Sequence, residues 1–245
     1  MPNQPVVTHK EWVEARRDLL RREKELTRLR DEIVEARQAL PWERVETDYV
    51  FQGPNGDESL SDLFGEANQL IVYHFMFDPE WDEGCISCSF LADHFDPITI
   101  HIEQRDTAFV AISRARLNKL QAYRERMGWR FKWLSSHANN FNFDYGVSFS
   151  ADDVDASRRQ YNYTVQSQFD GAEAPGLSVF YRDDTGEIFH TYSTYARGLE
   201  DFIGAYRFLD VLPKGRDESN LPWGMAWVSR HDQYNAGLVE IAGIE

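Results

Sequence analysis

The stretch Leu70-Ile71-Val72-Tyr73-His74-Phe75-Met76-Phe77 leads through the loop Asp78–Gly84 into Cys85-Ile86-Ser87-Cys88, and this passage decides how the rest of the chain is read. The apolar run has the length of a strand, and apolar residues at nearly every position suit a central strand covered on both faces. Beyond the loop, Cys85 to about His94 reads as a helix with both cysteines in its first turn. A thiol there faces unpaired backbone N–H groups and the positive end of the helix dipole, which favour thiolate and lower the pKa from about 8.5. Cys85, the leading member, is the expected attacker. Cys88, one turn further in, is the expected resolver of a mixed disulfide.

Downstream, Thr107–Ser113 reads as a second buried strand, Leu117–Met127 as a helix and Phe131–Ser135 as a third strand. Upstream, Tyr49–Gln52 is a short strand, Pro54-Asn55-Gly56-Asp57 a turn and Ser59–Leu63 the start of a helix. Ala174-Pro175-Gly176 introduces a strand over Leu177–Arg182, and Asp183-Asp184-Thr185-Gly186 turns it into a partner over Glu187–Tyr192. Leu199–Leu212 reads as a closing helix stopped by Pro213. Residues 137–170 are polar and aromatic without a readable period. Residues 221–234, with Trp223 and Trp227, are expected to pack back on the domain.

The N-terminal segment is a long helix. Thr8 can cap it with Glu11 three residues on, the capping-box spacing, and neither Gly nor Pro interrupts it before Pro41. Trp12, Leu19, Leu26, Ile33 and Leu40 recur every seven residues, with Ala15, Leu29 and Ala36 between them and Arg22 breaking that second series. Such a repeat keeps one seam facing a partner helix. Burying one such side chain stabilises by roughly 1.5–3 kcal/mol, and a helix of about 30 residues spans about 45 Å. A homodimer with this helix in its interface is expected; the alternative is a helix lying on its own domain. Three parts result: a helical arm over 1–44, an α/β domain over 45–215 and an aromatic tail over 216–245.

The whole chain has 245 residues, 42% hydrophobic and 14% aromatic, enough for one sizeable core. Lys plus Arg number 26 against 41 Asp plus Glu, a net charge of −15. Residues 1–40 carry 9 basic and 8 acidic side chains, leaving 17 against 33 elsewhere, so no basic arm offsets the acidic surface. Phosphate neutralisation, on which nucleic-acid binding depends, is therefore excluded. No apolar run approaches the roughly 18 residues of a spanning helix, and Met1–Lys10 lacks the apolar stretch of a secretory signal. The expectation is a soluble, cytoplasmic protein without a membrane partner. Cys85 and Cys88 are the only cysteines; two residues apart, they form no long-range staple, and no second pair completes a structural zinc site.

The order strand, Cys-x-x-Cys, helix, strand, helix, strand, then Pro, hairpin and helix resembles the thioredoxin fold, and the opening hairpin resembles its peroxiredoxin branch. Gly84–Phe90, Pro175–Asp183, His190–Gly198 and Pro222–Trp227 are similar to a bacterial thioredoxin-like family, domain of unknown function 899, whose members are described as dithiol-disulfide oxidoreductases. The resemblance implies an α/β thioredoxin-like sheet flanked by helices, thiol-disulfide exchange by Cys85 and Cys88, and a disulfide-containing protein or small thiol as substrate, with no cofactor. It also implies a cis Pro175, with Ala174 and Pro175 shaping the substrate groove; Trp81 is a further candidate substrate-binding residue.

Peroxiredoxins place Thr or Ser three residues before the attacking cysteine, where this chain has Asp82. Asp82 and Glu83 would repel a peroxide anion and raise the pKa of Cys85, so disulfides are the expected oxidants. The alternatives are a soft metal such as copper(I) held by Cys85, Cys88 and a histidine, His137 first and His74 second, and a non-catalytic binding module with an apolar pocket drawn from Trp81, Phe141, Phe143, Tyr145, Trp223 and Trp227.

Overall fold

The computed structural model describes residues 4–155, 159–166 and 171–234. In chain order the elements are α1 (His9–Gln38), β1 (Glu43–Arg44), β2 (Val50–Gly53), β3 (Gly56–Ser59), β4 (Gln69–His74), α2 (Ile86–Phe95), α3 (Thr99–Ile102), β5 (Thr107–Ser113), α4 (Leu117–Met127), β6 (Lys132–Ser135), α5 (Phe141–Asp144), α6 (Ala151–Asp155), β7 (Arg159–Tyr161), β8 (Thr164–Gln166), β9 (Gly176–Arg182), β10 (Ile188–Tyr195) and α7 (Gly204–Leu209).

Eight strands form one sheet in the order β1-β10-β9-β4-β5-β6-β2-β3. β4, β5 and β6 run parallel, joined by crossovers through α2 and α4, while β9 lies antiparallel on the other side of β4. This is the thioredoxin-like arrangement, with the cysteine helix leaving the central strand. The parallel core follows from the continuous apolar runs in β4 and β5. Alternation then divides the side chains: Leu70 and Val72 enter one core with Val110, Ile112, Phe141 and Phe180, and Tyr73 and Phe75 enter the other with Phe95, Tyr123 and Trp133. The second core also receives buried residues of α2, α4 and α7, so these helices share one face.

Several boundaries differ from the sequence reading. Gly56–Ser59 completes a hairpin with β2, and the helical turn after it is a 3-10 turn over Asp62–Phe64. The expected closing helix is split: residues 196–202 form a 3-10 segment, and only Gly204–Leu209 is α-helical. The break falls at Ile203, whose backbone is extended, and Ala205 N–H donates to His94 Nε2 at 3.0 Å as α7 begins. The arm also gives way to the sheet at Glu43, because β1 pairs with β10. In the tail, Trp227 packs on Phe90 while Trp223 remains exposed; residues 235–245 lie outside the described residues.

Candidate active site

β4 ends at His74, but the chain continues as an extension of the sheet: Phe75 N–H donates to Ile112 O at 3.1 Å and Ala115 N–H to Phe77 O at 2.7 Å. The loop returns so that Cys85 N–H donates to Met76 O at 3.1 Å, which places Cys85 at the carboxyl end of the parallel strands. Gly84 is required there. A Cβ would stand 2.7 Å from the Phe75 ring and 3.0 Å from that of Tyr123.

Cys85 is the N-cap of α2, and its Sγ accepts the Cys88 N–H at 3.5 Å. Both thiols are free; Cys85 is half-buried and Cys88 buried. The Cys88 thiol hydrogen-bonds to the Cys85 sulfur and, with the N–H groups of Cys88 and Ser87 and the charge of Arg230, lowers the Cys85 pKa to about 7 against the opposing effect of burial. Burial pushes Cys88 well above its ordinary value, and the neighbouring Cys85 adds to this.

The acidic loop does not act as its sequence suggests. Glu83 is ion-paired with Arg126 and, at 3.0 Å, with Arg230. Arg230, buried in the tail, donates to Gly84 O at 2.8 Å and to Tyr123 Oη at 2.7 Å. Tyr123 Oη meets Ser89 Oγ at 2.9 Å, and Ser89 donates to Cys85 O at 2.8 Å. A lone arginine 146 positions after Gly84 thus holds the cysteine turn from both sides, and no spacing in the sequence announces it.

Pro175 lies at this same end of the sheet, because Gly176 pairs with His74. Among the described residues no peptide bond is cis, so the expected cis Pro175 is corrected to trans. The physical reason is that the segment enters β9 already extended: Ala174 N–H donates to Val147 O at 2.8 Å, and Pro175 O accepts from Tyr161 Oη at 2.7 Å. Ala174 is buried and its N–H engaged, so that donor is not available to a substrate chain. Tyr161 also accepts Ala196 N–H at 2.8 Å, and burial raises its pKa. It belongs to the unreadable 137–170 stretch. Glu173, two residues before Pro175, is buried against Arg114 at 2.9 Å and Ser148 at 2.7 Å, and burial raises its pKa to about 7.

Trp81 packs on the same core as Cys85, and its carbonyl accepts Lys119 Nζ at 2.8 Å. The six aromatics expected to line a pocket do not converge: Phe141 is in the opposite core, Phe143 lies under Arg114 and Trp223 is exposed. Tyr145 lines a cleft of about 680 Å³ with Tyr49, Tyr163, His190 and Tyr195, and neither cysteine borders it. The metal set Cys85, Cys88 and His137 is not assembled, since His137 Nδ1 bonds Arg114 O at 3.2 Å, two strands from β4. Among the described residues no three His, Cys, Asp or Glu side chains are grouped to hold a metal. His74 is turned to the other face, where Nε2 meets Ser178 Oγ at 2.8 Å. From Ser178 a chain continues through Ser193 at 2.8 Å to His190 at 2.7 Å and on to Glu43 at 3.2 Å.

No helix among the described residues is long and apolar enough to cross a membrane. The chain is similar in structure to peroxidoxin BcpB of Mycobacterium tuberculosis, at 13% identity and a TM-score of 0.46, covering 69% of this chain and 96% of that one. A mutant of Xylella fastidiosa PrxQ follows at 10% and 0.42, covering 68% and 94%. A yeast mitochondrial 1-Cys peroxiredoxin stands at 15% and 0.40, covering 70% and 78%. At these scores the fold rests on the strand order and register above. No curated protein matches the sequence. The model of one family, described as bacterial protein of unknown function (DUF899), matches residues 1–234, and the chain belongs to that family.

Proposed function

We propose that the protein exchanges thiols and disulfides through Cys85 and Cys88. The observation that carries this reading is the asymmetry of the pair: one sulfur at a helix N-cap with its pKa lowered to about 7, the other buried and held protonated. Near neutral pH about half of Cys85 is thiolate. It attacks one sulfur of a substrate disulfide; the S–S bond breaks, the second substrate sulfur leaves as thiolate and a mixed disulfide forms. Cys88 then gives its proton to the departing thiolate and attacks Cys85 Sγ. This frees the first substrate sulfur and leaves a Cys85–Cys88 disulfide, two electrons having passed to the substrate.

Peroxide reduction by the same thiolate is the second reading. The pairing of Glu83 with Arg126 and Arg230 favours it, because it removes one of the two negative charges that would repel the oxidant. Asp82 is exposed in the loop and keeps the second charge, and disulfides stay the favoured substrates.

Brief iodoacetamide treatment of the reduced protein, mapped by mass spectrometry, is expected to label Cys85 at least ten times faster than Cys88. Cys85→Ser should lower disulfide turnover at least about 10³-fold, and Cys88→Ser should accumulate the mixed disulfide. Equal labelling, or turnover surviving Cys85→Ser, removes the reading; hydrogen peroxide consumed faster than a disulfide replaces it with the second one.

A further inference from the structure

α1 buries none of its 30 residues. Trp12, Leu19, Leu26, Leu29 and Ile33 are between 42% and 56% exposed. Its contacts with the domain gather at its C-terminal end, where Arg37 lies 5.3 Å over the Tyr192 ring and Arg30, Ile33, Val34 and Arg37 face Asp201 and Arg207. A helix standing alone in water is marginal at this length, since most helical stability in proteins comes from packing an apolar face. Among the described residues, nothing from its own domain covers the apolar face of α1 over most of its length.

The charges beside the seam specify what covers it. With Trp12, Leu19, Leu26 and Ile33 at heptad position a, position d holds Ala15, Arg22, Leu29 and Ala36. Position g is then acidic throughout, Glu11, Asp18, Glu25 and Glu32, and position e is Arg16, Glu23, Arg30 and Arg37. In a parallel pair each g residue faces the e residue of the next heptad in the partner helix, and these pairs set partner and orientation. Three of the four pairs are then opposite in sign: Glu11 with Arg16, Glu25 with Arg30 and Glu32 with Arg37. Asp18 faces Glu23, and Arg22 brings a positive charge to that level. An antiparallel pair would instead set the wholly acidic g edge against itself.

We infer that α1 pairs in parallel and in register with α1 of a second copy of this chain, forming a two-stranded coiled coil. Ala15 and Ala36 let the axes approach at d, and Trp12 and the leucines fill the a layers. Arg37 is partly taken by Tyr192, Arg16 pairs with Glu23 of its own helix at 2.7 Å and Glu11 closes the Thr8 cap, so the Glu25–Arg30 pair contributes most to alignment.

Light scattering on the full chain at micromolar concentration should give twice the mass of one chain, and Leu26→Glu with Ile33→Glu should give a monomer whose Cys85 alkylation is unchanged. Glu25→Arg should weaken association about 2- to 5-fold, as expected for a rim pair present twice in a symmetric dimer, and adding Arg30→Glu should restore it. In a Cys85→Ser, Cys88→Ser background, Leu19→Cys should cross-link the two copies on mild oxidation, since only parallel in-register helices bring both residues 19 together. A monomeric wild type overturns the assembly. A dimer without that cross-link, circular dichroism showing an intact fold, overturns the orientation.

Discussion

α1 runs for 30 residues and buries none, whereas α2 runs for 10 and buries six. α1 is specified by local signals: the capping box closes as its sequence requires, with Thr8 N–H donating to Glu11 at 2.9 Å and Glu11 N–H to Thr8 Oγ1 at 3.4 Å. α2 has no such box; its cap is a sulfur, and its position is set by β4 in front and by Tyr123 and Arg230 alongside. The difference teaches that the reactive end of this molecule is built by tertiary contacts, while the arm is built by its own sequence. Changes in the unit from β4 to α2 should therefore alter chemistry and stability together, and changes in α1 should leave the chemistry of Cys85 unaltered.

The largest effect is expected on acidification. His74 is buried on β4, and burial, aided by His190, lowers its pKa from 6.5 to about 3. Among the described groups its Nδ1 has no partner, which places the proton on Nε2, donating to Ser178. The unfolded chain binds the extra proton more readily than the folded one. Stability is thus fully present above pH 6.5 and is lost as the pH falls toward 3, by roughly 4–5 kcal/mol at the limit. Urea unfolding of wild type and His74→Gln between pH 7 and 4 measures this; parallel curves would show that the domain lacks the dependence and that β4 is no different from the arm in this respect.

A smaller effect concerns Arg230. Replacing it with Met removes a positive charge and the donor to Gly84 O, so the Cys85 pKa should rise above about 7 and alkylation at pH 7 should slow about 2- to 10-fold. The alkylation plateau at high pH should be unchanged. A lowered plateau with an unmoved midpoint would mean that Arg230 controls access rather than ionisation. The smallest effect belongs to the arm: Thr8→Ala should destabilise the first turn of α1 by about 1 kcal/mol, seen as faster amide exchange at its N-terminus, with Cys85 alkylation unaltered. A change in alkylation would tie the arm to the site and break the contrast.

What was readable in the sequence follows the same division. β5 and α4 fall where apolar runs and the terminating Gly128, with its φ of 67°, place them. The cysteines were legible because a strand-length apolar run and a helix bracket them. Tyr161 and Val147 were not, although with Tyr195 they form a small core beside Pro175, because Tyr161 stands on a three-residue strand and Val147 on a loop, where neither period can show. The electrostatics of the loop were misread for a related reason. Glu83 is neutralised by Arg126 and Arg230, and charge counting along the chain does not see partners 43 and more positions away.

The dependence of Cys85 on Arg230 also has a time order. Synthesis proceeds at roughly 5–20 residues per second, so the 146 positions between Gly84 and Arg230 take between about 7 and 30 s to make. Throughout that interval the nascent cysteine lacks the charge and the donor that the tail supplies, and it meets oxidants as a more ordinary, slower thiol. That charge and that donor arrive only with the segment that completes the fold.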